Sequence, residues 1–323
     1  MAERYAVATG NWSAVGTWDG GATLPTTGDD VHANTYTVTI DQDVTVGTLR
    51  TTAGATAAAG GSFIVSGSRT ITADTYAGST TCLTMNAAGQ VLVGNSFGSD
   101  STSFSYGVKN SAAAVHTGNS TGGSATGGYG SNVIEGGTQN GNATGGSGSS
   151  AFGANVDKGG VLNGNATGGS NAWGANVKNG SKIIGNTTGG TATNAYGANL
   201  SNGGIHFGDA TGSATNSAPG TYVTTGGIAE GVCTGGGTSG AHGVKTVQHG
   251  TAIHCTLATG ATSGAFGVSS AGSWGIVVID SESGTYPKSL DSKVDTTTTN
   301  MPLFAASGGG GLLEPGSMNG GMV

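Results

Sequence analysis

Four successive units between residues 118 and 207 decide the fold of this chain. They are GNSTGGSATGGYGSNVIEGGTQN (118–140), GNATGGSGSSAFGANVDKGGVLN (141–163), GNATGGSNAWGANVKNGSKII (164–184) and GNTTGGTATNAYGANLSNGGIHF (185–207). Each unit starts with Gly-Asn and carries, near its middle, an aromatic residue followed by glycine. Such internal repetition is typical of solenoids, in which each unit buries its apolar side chains only against its neighbours.

The pair formed by this residue and the glycine after it recurs along the chain and serves as an anchor for aligning the units. Aligned in this way, the repeat covers residues 94–278. The anchor glycines lie 21 to 24 residues apart and define about eight units. The anchors are Tyr106-Gly107, Tyr129-Gly130, Phe152-Gly153, Trp173-Gly174, Tyr196-Gly197, Pro219-Gly220, His242-Gly243 and Phe266-Gly267.

The composition selects among the repeat folds. Glycine makes up 66 of the 323 residues and charged residues only 8%, whereas about a quarter of an average protein is charged. Leucine is too scarce for a leucine-rich repeat, and helical repeats do not tolerate this much glycine and threonine. We therefore predict an all-β fold, a β-helix (solenoid) of about eight 21–24-residue coils with tight turns between short strands.

Aligning the units gives columns of like residues that should stack from coil to coil. Valines and a leucine that follow the anchor should point inward. Two asparagine columns should hydrogen-bond along the axis or form corners, and threonines make a further column. The columns are Val133, Val156, Val177, Leu200 and Val223; Asn119, Asn142, Asn165, Asn186 and Asp209; Asn132, Asn155, Asn176 and Asn199; and Thr121, Thr144, Thr167, Thr188, Thr211 and Thr234.

The two ends of the chain differ from the repeats. Residues 1–93 contain the alternating segments TYTVTIDQDVTVGTL (35–49) and FIVSGSRTITA (63–73), which predict strands of an N-terminal β cap. Residues 279–323 contain a polar linker and a Gly-rich apolar segment, which predict an extended C-terminal tail that docks to another subunit or to a particle. The expected anchors of that tail are Met301, Leu303, Phe304, Leu312 and Leu313.

The segment NWSAVGTWDGGATLPTTGDDVHANTYTVTIDQDVTVGTL (11–49) resembles the opening of tail-fibre and other virion proteins of tailed bacteriophages. It also resembles the start of G8-type β-helix domains. The likeness rests on the pair Trp12 and Trp18, a Gly-rich loop, Pro25, and Gly-Asp-Asp-Val at 28–31. The resemblance implies a virion component, a fibre, spike or head-decoration element, that is often homotrimeric. We expect Trp12 and Trp18 to take part in docking to other capsid or tail proteins; head and tail locations both stay open.

Charge and targeting patterns bound the partners. The net charge is −7, but residues 94–278 hold five acids and five lysines and are therefore neutral. Without a basic stripe we expect no nucleic-acid binding; a neutral polar surface suits proteins or sugars, such as a host surface polysaccharide.

The first residues, MAERYAVATG, lack the pattern of a signal peptide, and no apolar run has membrane-spanning length. We therefore expect synthesis in the host cytoplasm, no membrane insertion, and a location in the virion.

We expect no catalytic, cofactor or metal site. Glu135 and Asp157 lie at similar positions in adjacent units and form the one carboxylate pair that glycoside hydrolysis could use. The six histidines have no ligand spacing, and the three cysteines give no disulfide framework. A polysaccharide-degrading depolymerase and an exported adhesin or ice-binding solenoid remain the alternatives to a structural virion protein.

The aromatic column at the anchors is the candidate binding surface. If it points outward, it can stack sugars or contact other subunits; if it points inward, it belongs to the core. The residues concerned are Tyr106, Tyr129, Phe152, Trp173 and Tyr196.

Overall fold

A computed structural model describes residues 2–56, 58–78, 81–100, 106–124, 126–148, 150–170, 172–191, 195–213, 218–236 and 242–247, and beyond them the backbone of four further strands. The described strands, in chain order, are β1 (Glu3–Tyr5), β2 (Gly10–Asn11), β3 (Asp30–His32), β4 (Thr37–Ile40), β5 (Val44–Arg50), β6 (Ser62–Val65), β7 (Thr70–Tyr76), β8 (Leu83–Met85), β9 (Val91–Val93), β10 (Ser96–Phe97), β11 (Val108–Asn110), β12 (Val115–Thr117), β13 (Ser120–Thr121), β14 (Ser131–Ile134), β15 (Thr138–Asn140), β16 (Ala143–Thr144), β17 (Ala154–Asp157), β18 (Val161–Asn163), β19 (Ala166–Thr167), β20 (Ala175–Lys178), β21 (Lys182–Ile184), β22 (Thr187–Thr188), β23 (Ala198–Ser201), β24 (Ile205–Phe207), β25 (Ala210–Thr211), β26 (Thr221–Thr224), β27 (Ile228–Thr234), β28 (Val244–Val247), β29 (Thr251–Ala258), β30 (Val268–Ala271), β31 (Ile276–Ser283) and β32 (Leu303–Ala305). The described helical element is a 3-10 turn at Val15–Thr17.

These strands form two parallel sheets that wind into a solenoid. In a typical coil, β14 lies in the first sheet, while β15 and β16 lie in two adjacent columns of the second sheet. Each strand pairs with its counterpart one coil later, as β14 does with β17 and β15 with β18. The predicted all-β solenoid is therefore confirmed, with about ten turns.

The residues expected to form an N-terminal β cap are the first coils of the same solenoid. In the second sheet, β1 pairs with β3, β3 with β5 and β5 with β7, always in parallel. In the first sheet, β2 pairs with β4 and β4 with β6. The first 93 residues thus continue the two sheets of the repeats.

The interior contains two apolar clusters. One cluster lies in the coils up to Ala114, and the other runs from Val133 to Val244. The predicted inward column is confirmed, because its valines and its leucine are fully buried. Most of the other inward positions of the second cluster hold alanine, so the coils pack with little space between their sheets.

A polar network lies inside the solenoid between the two clusters. Gln139 donates to the hydroxyl of Ser120 at 2.8 Å and accepts from the hydroxyl of Ser131. The hydroxyl of Ser96 donates to that of Ser120 at 2.8 Å. These buried groups satisfy one another, as burial requires.

One corner of each coil is a two-residue left-handed turn between the first and second sheets. Its second residue is a glycine with φ between 73° and 80°. Its first residue also has positive φ, and the five successive corners are occupied by Glu135, Lys158, Asn179, Asn202 and Thr225. Asparagine tolerates this conformation, whereas a β-branched residue there is strained.

A second corner, between the two columns of the second sheet, depends on a ladder of Asn and Asp side chains. The Oδ1 atom of each accepts a hydrogen bond from the backbone N–H at the same position of the next coil, at 2.7 to 3.1 Å. The ladder comprises Asp74, Asn95, Asn119, Asn142, Asn165, Asn186 and Asp209. The residue before most of these is a glycine that cannot be replaced without a clash: at Gly141 (φ 147°), a Cβ would lie 2.1 Å from the carbonyl oxygen of Gly118.

The occupants of the left-handed corner predict opposite effects for two matched substitutions. Thr225→Asn removes a β-branched side chain from φ 42° and should raise the free energy of unfolding by about 1 kcal/mol. Asn202→Thr introduces that strain one coil earlier and should lower it by a similar amount. Urea denaturation of both variants measures the two changes in the free energy of unfolding. If both variants changed it in the same direction, this explanation of the corner would be contradicted.

Candidate functional site

The aromatic column expected from the anchors forms one stacked stripe, called here the aromatic stripe. Each of its rings precedes a glycine that lies against the backbone of another strand, so the backbone fixes the position of the ring. At Gly153, for example, a Cβ would lie 2.6 Å from the amide nitrogen of Thr167. The stripe therefore follows the corner at which each coil enters the first sheet.

The rings of the stripe stack face to face along the solenoid axis. From Tyr106 to Tyr196, successive ring centroids are 5.6, 5.0, 4.8 and 5.6 Å apart. The rings of the last three pairs are nearly parallel, with interplanar angles of 12°, 6° and 6°. All five predicted stripe residues thus belong to one continuous stack.

Tyr222 extends the stripe and was not predicted. Its ring stacks on that of Tyr196 at 5.0 Å, and Lys245 lies 5.6 Å from its centroid. In the sequence, Pro219 breaks the anchor pattern, and the tyrosine stands three residues later, in the column of Asn199. The loss of the aromatic anchor together with a nearby tyrosine was the available signal.

The stripe residues are half-buried, which answers whether the column faces inward or outward: it lies at the surface and outside the two apolar clusters. Burial raises the pKa of Tyr106 to about 12 and raises the pKa of Tyr129 and Tyr196. The phenols are therefore neutral at ordinary pH. Because each inner ring has neighbours on both faces, the stripe offers ring edges and hydroxyls to a partner rather than open ring faces.

The two tryptophans expected to dock to a partner are core residues instead. Trp12 and Trp18 are each 1% exposed and meet edge to face at 4.8 Å. The indole nitrogen of Trp18 donates to the carbonyl oxygen of Trp12 at 2.9 Å. Both side chains bury a large apolar area, so they hold the first coils together rather than present a docking surface.

The expected C-terminal anchors fall largely outside the described residues. Met301, Leu312 and Leu313 lie there. Leu303 and Phe304 belong to β32, whose backbone pairs in parallel with β31. This part of the tail therefore adds a strand to the second sheet.

Of the candidate carboxylate pair, Glu135 lies on an exposed corner and Asp157 is half-buried at the end of β17; each is already paired with a lysine. Glu135 is 3.3 Å from the ammonium group of Lys158, and Asp157 is 3.4 Å from that of Lys178. Asp157 also accepts from Asn179 at 2.6 Å. Neither carboxylate lines the groove described below.

Two of the histidines are interior residues. The Nε2 atoms of His116 and His206 lie 2.8 and 2.9 Å from the carbonyl oxygens of Gly94 and Gly185. Burial lowers the pKa of both, and that of His206 to about 4. Among the described residues, no three His, Cys, Asp or Glu side chains converge as a metal site would require.

The described cysteines are buried. Cys82 is a free thiol, and burial raises its pKa to about 12. The Sγ atom of Cys233 lies 3.3 Å from the hydroxyl of Thr221. Cys255 stands opposite Gly231 rather than opposite Cys233.

A second stacked column, in the second sheet, was missed by the sequence analysis. Arg50, Tyr76, Phe97 and Thr121 are register partners in successive coils. The guanidinium carbon of Arg50 lies 4.3 Å from the ring centroid of Tyr76, which stacks on Phe97 at 4.5 Å and 11°. A groove of about 520 Å³ lies along this column.

The exposed Asn and Thr columns continue beyond this groove. The threonines from Thr121 to Thr211 are exposed and in register, and the asparagines from Asn119 to Asn186 stand two residues before them. This face is flat, polar and uncharged as far as Asp209.

Comparison with known proteins adds no relative. No protein-family model matches the chain, and no curated protein or solved structure is significantly similar to it. No helix among the described residues is long and apolar enough to span a bilayer.

The burial of His206 predicts a specific pH dependence of stability. Its folded pKa, about 4, lies below the unfolded value of 6.5, so its neutral form contributes fully above pH 6.5 and its contribution falls as the pH drops towards 4. The loss should total about 3 kcal/mol. His206→Leu removes the titrating group, and leucine already occupies this column at Leu162. Denaturant unfolding between pH 7 and pH 4 should show a smaller decline for the variant; parallel curves would contradict the assignment.

Proposed function

We propose that the protein is a non-enzymatic structural component of a bacteriophage virion, a fibre, spike or head-decoration element that can contact the host surface. The observation that carries this proposal is the parallel stacking of coils from β1 to β31, which stays in register apart from shifts in the pairings β5–β7, β27–β29 and β29–β31. At about 4.8 Å per coil, ten turns make a rod roughly 50 Å long. A rod held by hydrogen bonds along its whole length suits a part that must keep its shape outside the cell.

The side-chain ladders support a rigid rod. Along one corner Asn and Asp side chains bind the backbone of the next coil. Along the strands of the first sheet the amides of Asn132, Asn155, Asn176 and Asn199 bind one another at 2.9 to 3.0 Å. The aromatic stripe adds a third line of contacts. Bending the rod would separate the side chains of at least one of these three lines of contacts. Every coil therefore contributes to the energy that bending requires.

An apolar column on the second sheet supports a homotrimer. Its outward residues are half-buried in a single copy and are mostly β-branched: Val91, Val115, Thr138, Val161, Lys182, Ile205 and Ile228. Beside it, Val93 and Ile184 are 42% and 43% exposed. A second and a third copy would cover such a surface, which monomers rarely leave open. A trimer would also leave three polar faces outward for host contact.

The alternative functions have less support. A polysaccharide depolymerase needs two carboxylates facing a substrate, and Glu135 and Asp157 each face a lysine. An ice-binding solenoid would use the exposed threonines on the flat face, but they form one column, and asparagine occupies the other.

The proposal predicts where the protein resides and how it assembles. Gold-labelled antibody on phage particles from the source lysate should mark fixed points on heads or tails, and sedimentation of the purified protein should give three times the 30.9 kDa of one chain. The position of the label separates a decoration protein from a fibre. Unlabelled particles together with free protein in the lysate would refute the virion role, and a monomer at micromolar concentration would refute the trimer.

A further inference from the structure

The groove beside Tyr76 and Phe97 lies where a stack of planar side chains ends. It is bounded on one side by Thr52 and the loop that follows, and its floor passes along Tyr76 and Phe97 to Thr121. Its volume, about 520 Å³, falls within the range of small-ligand sites. Its position on the second sheet separates it from the aromatic stripe.

The two faces of this stack are not equivalent. The guanidinium of Arg50 covers the outer face of Tyr76, whose other face contacts Phe97. The far face of Phe97 is directed towards Thr121, its register partner. Threonine is too short to cover a phenyl ring, and among the described residues the ring contacts of Phe97 are limited to Tyr76.

Close packing prevents the two residues after Thr121 from placing a side chain at this ring face. The residues after Thr121 are Gly122 and Gly123, where a Cβ would lie 1.7 Å and 1.8 Å from carbonyl oxygens of adjacent segments. Glycine is therefore obligatory at both positions. The column thus has a position beside the far face of Phe97, above Thr121, at which a planar ring would fit and at which the described residues place none. This position is called here the open rung.

Polar groups surround the open rung. The carboxylate of Asp100 is exposed and accepts through one oxygen from the backbone N–H of Ser124 at 2.7 Å. Its second oxygen, like the hydroxyls of Tyr76 and Thr121, has no hydrogen-bond partner among the described residues. Asp100 also makes no ion pair within that part of the chain.

We infer that this groove binds a neutral glycan, with one pyranose ring stacked on Phe97. A pyranose has an apolar C–H face for the phenyl ring and equatorial hydroxyls for the carboxylate and the two hydroxyl groups, so it uses both features of the groove. An aromatic side chain of a partner protein would use only the ring face. An acidic sugar would meet Asp100, while Arg50, the one cation near the groove in the described part of the chain, lies behind Tyr76 on the far side of the stack. The inference goes beyond the proposed virion role and does not depend on it.

The test measures binding of cellotetraose, maltotetraose and chitotetraose to the purified full-length protein by calorimetry, with saturation-transfer NMR to identify the ring in contact. At least one of the three should bind in the millimolar to high-micromolar range. Thr121→Phe places a ring of the protein's own in the open rung and should abolish binding. The matched control Thr144→Phe, one coil further along the same column, leaves the face of Phe97 open and should retain it.

Two further variants separate the contributions of the groove. Phe97→Ala should weaken binding about tenfold, and Phe97→Tyr should preserve it because the ring is kept. Asp100→Asn should weaken binding several-fold without changing the midpoint of thermal unfolding. The inference is overturned if none of the three saccharides binds, if Thr121→Phe binds as well as the natural protein, or if N-acetyl-tyrosinamide binds where the sugars do not. Each of these results would leave the gold-labelling test of the virion role unaffected.

Discussion

In-register parallel pairing between successive coils is the constraint on which the rest of the structure depends. Each residue lies directly over its counterpart in the preceding coil. The contribution of a side chain to stability therefore depends mainly on how well it stacks on a similar side chain. Aromatic rings at 4.8 to 5.6 Å and asparagine amides at 2.9 to 3.0 Å meet this demand. The ladders are therefore consequences of the register, and each of them stabilises it in turn.

The same constraint explains the composition. Like charges stacked at about 4.8 Å repel one another, which accounts for a charged fraction of only 8%. In the repeats, two pairs of charges in adjacent coils are opposite in sign, Glu135 with Lys158 and Asp157 with Lys178; in the first coils, Glu3 and Asp30 are register partners of like sign. Glycine is frequent because corners require positive φ and because neighbouring backbones approach too closely for a Cβ, as at Gly141.

The sequence predicts those parts of the fold that repeat. The period, the inward valines, the asparagine columns and the aromatic stripe follow from comparing units, because stacking demands similar residues at equal positions. Features outside the repeat escape this comparison. Trp12 and Trp18 lie in coils of irregular length, where nothing in the spacing shows which side chains point inward. The column of Arg50, Tyr76, Phe97 and Thr121 has intervals of 26, 21 and 24 residues, and its first two members are not followed by glycine. Only the observed register brings its members together.

The most direct test of this account is to remove one whole coil. Deleting residues 141–163 joins Asn140 to Gly164 and keeps every column in register. The shortened protein should unfold cooperatively with a midpoint within about 5 °C of the full chain, because each coil interacts only with its neighbours. Deleting residues 141–164, one residue more, places Asn165 where the backbone requires glycine and turns Ala166 outward; this variant should fail to fold or lose far more stability. Equal stability of the two deletions, measured by circular dichroism during heating, would contradict the claim that register holds the molecule together.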